Sequence, residues 1–135
     1  MLRLYNVYLF QQLRITLAKV VLNKNEERRV KQGHLWIFSN EIVKVEGEVS
    51  NGDIVKVYDS RNNFIGSGFY NGNSLIAVRI ISNEESVDLE NLFRNRLHSA
   101  YEFRKKVYPQ RESFRMVFSE SDFLPGLIID KYNDT

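Results

Sequence analysis

The sequence predicts a mainly β protein with α: a small barrel, a long helix, then the opening of a second sheet. Three observations carry this. Short β-branched and aromatic runs recur between residues 15 and 81, separated by turn signals, which is the spacing of a barrel or sandwich. From residue 88 to 108 the apolar residues fall in steps of three and four, the period of an amphipathic helix. After Pro109, two further runs flank a Pro125-Gly126 turn.

Taken in order, Ile15 to Leu22 reads as the first strand. Asn25 stands where it could cap a short helix reaching Gln32, with Glu26 and Glu27 in a first turn whose dipole favours anions. Gly33 stands where a left-handed carboxy-terminal cap is needed. Leu35 to Phe38 is a short apolar extended segment, and Ile42, Val43 and Val45 form a strand ending at Gly47. Asn51-Gly52 is a turn, because both residues tolerate positive φ. Strands follow at residues 54–58, 64–70 and 75–81. Gly66 and Gly68 share one face of the second of these, which marks a bend or a close backbone approach. The helix has Ser86 or Asp88 as its cap and ends at Pro109. The final strands are 114–119 and 127–132, around the loop Glu120 to Gly126.

Composition narrows the function classes. An apolar fraction of 43% suffices for a core, and 27% charged residues is ordinary for a globular chain. The absence of Cys excludes disulfides, thiolate zinc sites and a cysteine nucleophile, and it fits a reducing, cytoplasmic setting. No apolar run reaches the length of a membrane helix. Met1 to Phe10 has one positive charge and a short apolar run, interrupted by Gln11 and Gln12 without a clear cleavage site, which argues against a signal peptide.

The net charge of +2 says little, but its distribution says more. Residues 1–34 carry Arg3, Arg14, Lys19, Lys24, Arg28, Arg29 and Lys31 against Glu26 and Glu27, a net of +5. A basic patch of this kind attracts phosphate. Arg28, Arg29 and Lys31 occupy successive directions on a short helix, so they cannot share one face. They are either phosphate contacts around an RNA groove or a solvated face paired with Glu26 and Glu27. His34 could stack on a base or bond a phosphate; beside Gly33 it is as readily a capping or core-edge residue. Trp36 and Phe38 could be stacking platforms, but Leu35 and Ile37 beside them favour a core assignment. Tyr70 and Asn71 open a polar loop that could read an RNA backbone or serve turn chemistry alone. Glu120, Asp122 and Asp130 are acidic, yet nothing positions a substrate beside them. No metal pair is formed by His34 and His98, which are far apart in sequence, and no catalytic arrangement is visible.

Four stretches together resemble one family. They are Arg28-Arg-Val-Lys-Gln-Gly-His-Leu-Trp-Ile-Phe-Ser-Asn-Glu-Ile42, Gly52-Asp-Ile-Val-Lys-Val-Tyr-Asp59, Phe64-Ile-Gly-Ser-Gly-Phe-Tyr-Asn71 with Ile76-Ala-Val-Arg-Ile80, and Glu120-Ser-Asp-Phe-Leu-Pro-Gly-Leu-Ile-Ile-Asp-Lys-Tyr132. In this order they resemble the amino-terminal part of bacterial S-adenosylmethionine-dependent methyltransferases that modify cytosine C5 of 23S ribosomal RNA. The family pattern usually has Pro where this chain has Leu35.

The resemblance implies an RNA-binding PUA-like pseudo-barrel over residues 15–83, a linking helix over 84–113 and the beginning of a central α+β domain over 114–135. Residues 1–14 would be an extension. Arg28, Arg29, Lys31, Gly33, His34, Tyr70 and Asn71 would contact structured RNA, expected to be large-subunit rRNA. The family's cofactor pocket and nucleophilic cysteine would lie beyond residue 135, so the chain alone is not expected to bind S-adenosylmethionine or catalyse transfer. The alternatives are a protein-interaction or homodimerisation barrel and a gene fragment without independent function.

Overall fold

A computed structural model describes residues 14–133; the expected extension over 1–14 lies outside them, Arg14 excepted. The chain divides after Val87 into two compact units.

In the first unit, β1 (Ile15–Leu22) turns Ala18, Val20 and Leu22 inward by simple alternation. After it come helix α1 (Glu27–Lys31), β2 (Trp36–Phe38), a 3₁₀ turn at Ser39–Glu41, β3 (Ile42–Glu46), β4 (Ile54–Tyr58), β5 (Phe64–Tyr70) and β6 (Ile76–Ser82). They form one six-stranded sheet in the order β2-β6-β5-β4-β1-β3. Every pairing is antiparallel except β1 with β4. The two edge strands, β2 and β3, are consecutive in the chain and joined by only the 3₁₀ turn. A flat sheet would hold them at opposite ends, so this one must curl, and it gives the half-barrel expected from the sequence. Backbone bonds fix the seam: Ser39 N donates to Leu75 O and Asn23 N to Glu41 O, each at 2.8 Å.

The concave side holds the core. Ala18, Val20, Leu22, Ile37, Val55, Val57, Val78 and Ile80 are almost fully removed from water. The close approach expected at the β5 glycines is present. A Cβ at Gly68 would lie 2.3 Å from the Arg79 carbonyl oxygen, beside the irregular register of β5 and β6.

In the second unit, α2 (Leu89–Val107) packs on a hairpin of β7 (Phe114–Phe118) and β8 (Ile128–Lys131). Asp88 supplies the amino-terminal cap, its carboxylate accepting from Asn91 N at 3.1 Å. Phe93 and Ala100 of the helix are buried, as are Met116, Val117 and Leu124. A short 3₁₀ turn, Ser119–Asp122, joins the strands, with Ser119 and Phe123 at positive φ. No helix among the described residues is long and apolar enough to cross a membrane.

Candidate nucleic-acid interface

The basic stretch folds around α1. Gly33 has φ +97°, its N–H donates to Val30 O at 2.9 Å, and His34 N donates to Arg29 O at 3.0 Å. These two bonds make a Schellman cap, as the position of Gly33 predicts. The other end differs from the expected cap. Glu26 is the amino-terminal boundary and makes no side-chain cap bond. Asn25 sits at φ 75°, as a turn residue. Its amide oxygen instead accepts from Arg28 Nη2 at 3.3 Å.

The three cations of α1 diverge, as their spacing requires, but their partners are not Glu26 and Glu27. Arg29 reaches Glu41 of the seam turn at 2.5 Å, its guanidinium 5.2 Å from the centre of the Phe38 ring. Lys31 faces Asp59 at 3.9 Å. Arg28 is exposed and donates to Asn25, with no other side-chain hydrogen bond or ion pair among the described residues. Gly33 and His34 are also exposed. Arg28, Lys31, Gly33 and His34 therefore present polar surface around one end of a short helix, while Arg29 is tied down.

The anchoring carboxylates had no motif of their own in the sequence. Glu41, Asp53 and Asp59 are all buried, each in a turn. Glu41 also accepts from Phe38 N at 2.7 Å. Asp59 Oδ1 accepts from Arg61 N and Asn63 N, both at 2.9 Å. Burial would raise the Asp59 carboxyl, but hydrogen bonds from the Asn63 side chain and from these two N–H groups, with the Lys31 charge, hold it below its ordinary value. Asp53 is paired with Arg14 at 2.7 Å and accepts from Ser50 N at 2.8 Å. The Arg14 hydrogen bond, then that of Ser50, lowers its carboxyl. The Asp-Ser-Arg-Asn-Asn signature of the 59–63 turn was the one available clue, since Asp there favours side-chain bonds to following N–H groups.

Tyr70 and Asn71 lie at the end of β5. Tyr70 is half-buried against the core cluster, and its hydroxyl covers Gly72, where a Cβ would approach to 2.8 Å. Asn71 Oδ1 accepts from Asn73 N at 3.0 Å, and Gly72 N donates to Asn51 Oδ1 at 2.9 Å. No hydrogen bond or ion pair among the described residues joins Tyr70 or Asn71 to Arg28, Arg29 or Lys31. Their link is indirect: the 39–41 turn holds Arg29 through Glu41 and the 71–75 loop through Ser39 N to Leu75 O.

A further sequence expectation needs correcting. Trp36 is 40% exposed rather than part of the core; Ile37 alone of β2 is fully buried. Alternation along a strand sends Trp36 and Phe38 to the face opposite Ile37. In register, Trp36 stands opposite Arg79, and Arg79 opposite Phe69, a row across β2, β6 and β5.

Residues 20–83, which hold most of the curled sheet and the inserted α1, match the PUA-like domain family. Over 121 residues the chain is 33% identical to the ribosomal RNA large subunit methyltransferase I of Alteromonas mediterranea, covering 87% of this chain and 30% of that protein. It is 37% identical over 119 residues to the same-named protein of Aeromonas salmonicida, covering 85% and 30%. The chain thus spans about 30% of the length of these relatives. Among solved structures, one assigned as a SAM-dependent methyltransferase from Streptococcus mutans shares the fold, with TM-score 0.67 and 17% identity over 87% of this chain and 31% of that one. The family resemblance carried by the four stretches is borne out.

Proposed function

We propose that this chain is the RNA-binding part of an S-adenosylmethionine-dependent rRNA methyltransferase of the cytosine-C5 type, acting in the cytoplasm. The barrel over 15–83 holds structured large-subunit rRNA, the segment 84–113 links, and 114–135 begins a central domain. The observation that carries this reading is the PUA-like match at residues 20–83, within relatives named as ribosomal RNA methyltransferases. Structured RNA is recognised mainly through shape and backbone contacts. Exposed Arg28, Lys31 and His34 around the Gly33 turn offer donors for phosphates, and Tyr70 with Asn71 a second polar edge.

S-adenosylmethionine would supply the methyl group in the parent enzyme. The glycine pair nearest to a cofactor loop, Gly66 and Gly68, lies inside β5 against the backbone of β6. That leaves no room for a ligand there, so the cofactor is assigned to no residue of this chain.

Filter binding of the chain to a large-subunit rRNA fragment at two salt concentrations tests the proposal. We expect binding that weakens with salt and weakens further in Arg28→Ala with Lys31→Ala. Absence of binding sinks the function; binding indifferent to both substitutions sinks the assigned surface.

A second reading, a barrel that docks onto protein or onto its own copy, is favoured by Leu17 at 91% and Val43 at 58% exposure on β1 and β3. Sedimentation with and without RNA separates the two: self-association that RNA leaves unchanged supports docking.

A further inference from the structure

The second unit has its own cationic and aromatic surface, which sequence periodicity made look like a solvated helix face. Where α2 ends against β7, an open hollow of about 420 Å³ is lined by Arg104, Tyr108, Arg111, Phe114, Arg115 and Phe118. Its volume falls in the range of small-ligand sites. Three guanidinium groups and three rings share this lining, a combination that suits a planar, negatively charged ligand.

The three arginines are not equivalent. Arg104 is held by Asp122 through two bonds of 2.7 Å. Arg115 is held by Asp130 at 2.8 and 3.2 Å, its guanidinium 5.5 Å from the centre of the Phe118 ring. Arg111 is exposed and, among the described residues, makes no side-chain hydrogen bond or ion pair; it lies 5.0 Å from the centre of the Tyr108 ring. Tyr108 and Phe118 are 42% and 48% exposed. Among the described residues Arg111 therefore has no carboxylate partner, whereas Arg104 and Arg115 are each paired with one, and Lys131 Nζ adds a second such cation 5.8 Å from the centre of the Phe114 ring.

The mixture of cations and rings distinguishes occupants. An acidic peptide would pair with Arg111 and Lys131 but would leave the rings unused. Duplex backbone alone would leave the rings unused. An unstacked base with one phosphate uses both features, since bases stack on aromatic side chains and on arginine planes.

We propose that this hollow is a subsite for a single-stranded RNA nucleotide, with Tyr108 as the stacking platform, Phe118 beside it, and Arg111 on the phosphate. The choice of RNA as the polymer rests on the function proposed above; the subsite itself uses no residue of the first unit.

The test is fluorescence anisotropy of a short labelled oligouridylate with the full chain. Tyr108→Ala should weaken binding about tenfold, the loss of one stacked base. Tyr108→Phe should restore it. Arg111→Ala should weaken it and remove most of the salt dependence, whose slope should be near −0.7 for one phosphate on a single strand. Arg28→Ala should reduce capture of the rRNA fragment by more than it reduces oligouridylate binding, and Tyr108→Ala the reverse, so that failure of either surface shows separately. Both hollow residues are exposed, and circular dichroism of the variants checks the fold. The proposal is overturned if the wild-type chain does not bind oligouridylate, if Tyr108→Ala binds as the wild type does, or if polyglutamate displaces the strand as effectively as unlabelled oligouridylate, which would indicate a protein-docking surface.

Discussion

Arg29 and Glu41 join α1 to the seam of the half-barrel: Nη1 donates to Oε1 at 2.5 Å, across twelve positions of sequence. The carboxylate is buried and the guanidinium partly so. Removing Arg29 leaves a buried acceptor short of one donor, so Arg29→Ala should cost about 1–3 kcal/mol, read as a lower urea midpoint with unchanged slope. Arg28 makes an exposed bond to Asn25, so Arg28→Ala should stay within about 0.5 kcal/mol of wild type while weakening RNA capture. Equal destabilisation by the two would refute the division of this basic cluster into an anchor and a contact.

Two glycines separate conformational strain from steric exclusion. Gly33 has φ +97° and open space where a Cβ would stand. Gly33→Ala should therefore cost only the left-handed backbone penalty, about 1–2 kcal/mol. Gly68 is in a strand, yet its Cβ would collide with the Arg79 carbonyl of β6. Gly68→Ala should cost at least about 3 kcal/mol or prevent folding. Thermal melts of the two variants rank them; a milder Gly68→Ala would mean that β5 and β6 can separate locally.

These positions also mark what the sequence made legible. Strand alternation, the helical period of α2 and the Gly33 cap are local properties, and the structure has them where the residues predict. The Arg29–Glu41 pair depends on the curl that brings consecutive edge strands together, and no local pattern encodes that partner. Trp36 leaves the core because the run Leu35 to Phe38 is apolar throughout, while a strand sends successive side chains to opposite faces. The hollow around Tyr108 was hidden because Arg104, Arg111 and Arg115 come from a helix, a loop and a strand, and only folding puts them side by side.

Acid sensitivity of the barrel should reside in the buried aspartates Asp53 and Asp59. Hydrogen bonds from Arg14 and Ser50 hold Asp53 below its ordinary value. A carboxyl depressed in the folded state contributes stability that is present above its unfolded value, about 3.9, and is lost as pH falls through the folded one. Urea midpoints should therefore be flat near neutrality and drop below about pH 4. Asp53→Asn should be less stable at neutral pH and lose less on acidification. Arg14 is 58% exposed, so high salt should weaken only its share and leave that of the Ser50 N–H. An acid limb unchanged in Asp53→Asn would remove this carboxylate from the account.

Asp122 should govern the second unit in the same way. Burial would raise its carboxyl, but hydrogen bonds from Arg104 and from Phe118 N–H outweigh that and lower it. The Arg104 and Asp122 side chains are only 14% and 8% exposed, so solvent screens their pairing little. Asp122→Asn would turn an amide N–H₂ toward the guanidinium or toward Phe118 N–H, setting donor against donor. The expected loss is about 3 kcal/mol. Because Phe118 N donates to Asp122 Oδ2 at 2.7 Å, amide exchange at Phe118 reads the damage directly, with the Val57 amide in β4 as internal reference. In the wild type, the Phe118 amide should keep its protection until pH falls below the ordinary carboxylate range, since the lowered carboxyl stays ionised down to there. Unchanged Phe118 exchange in Asp122→Asn would show that α2 and β7 are held by their apolar contacts alone, with the ion pair an onlooker.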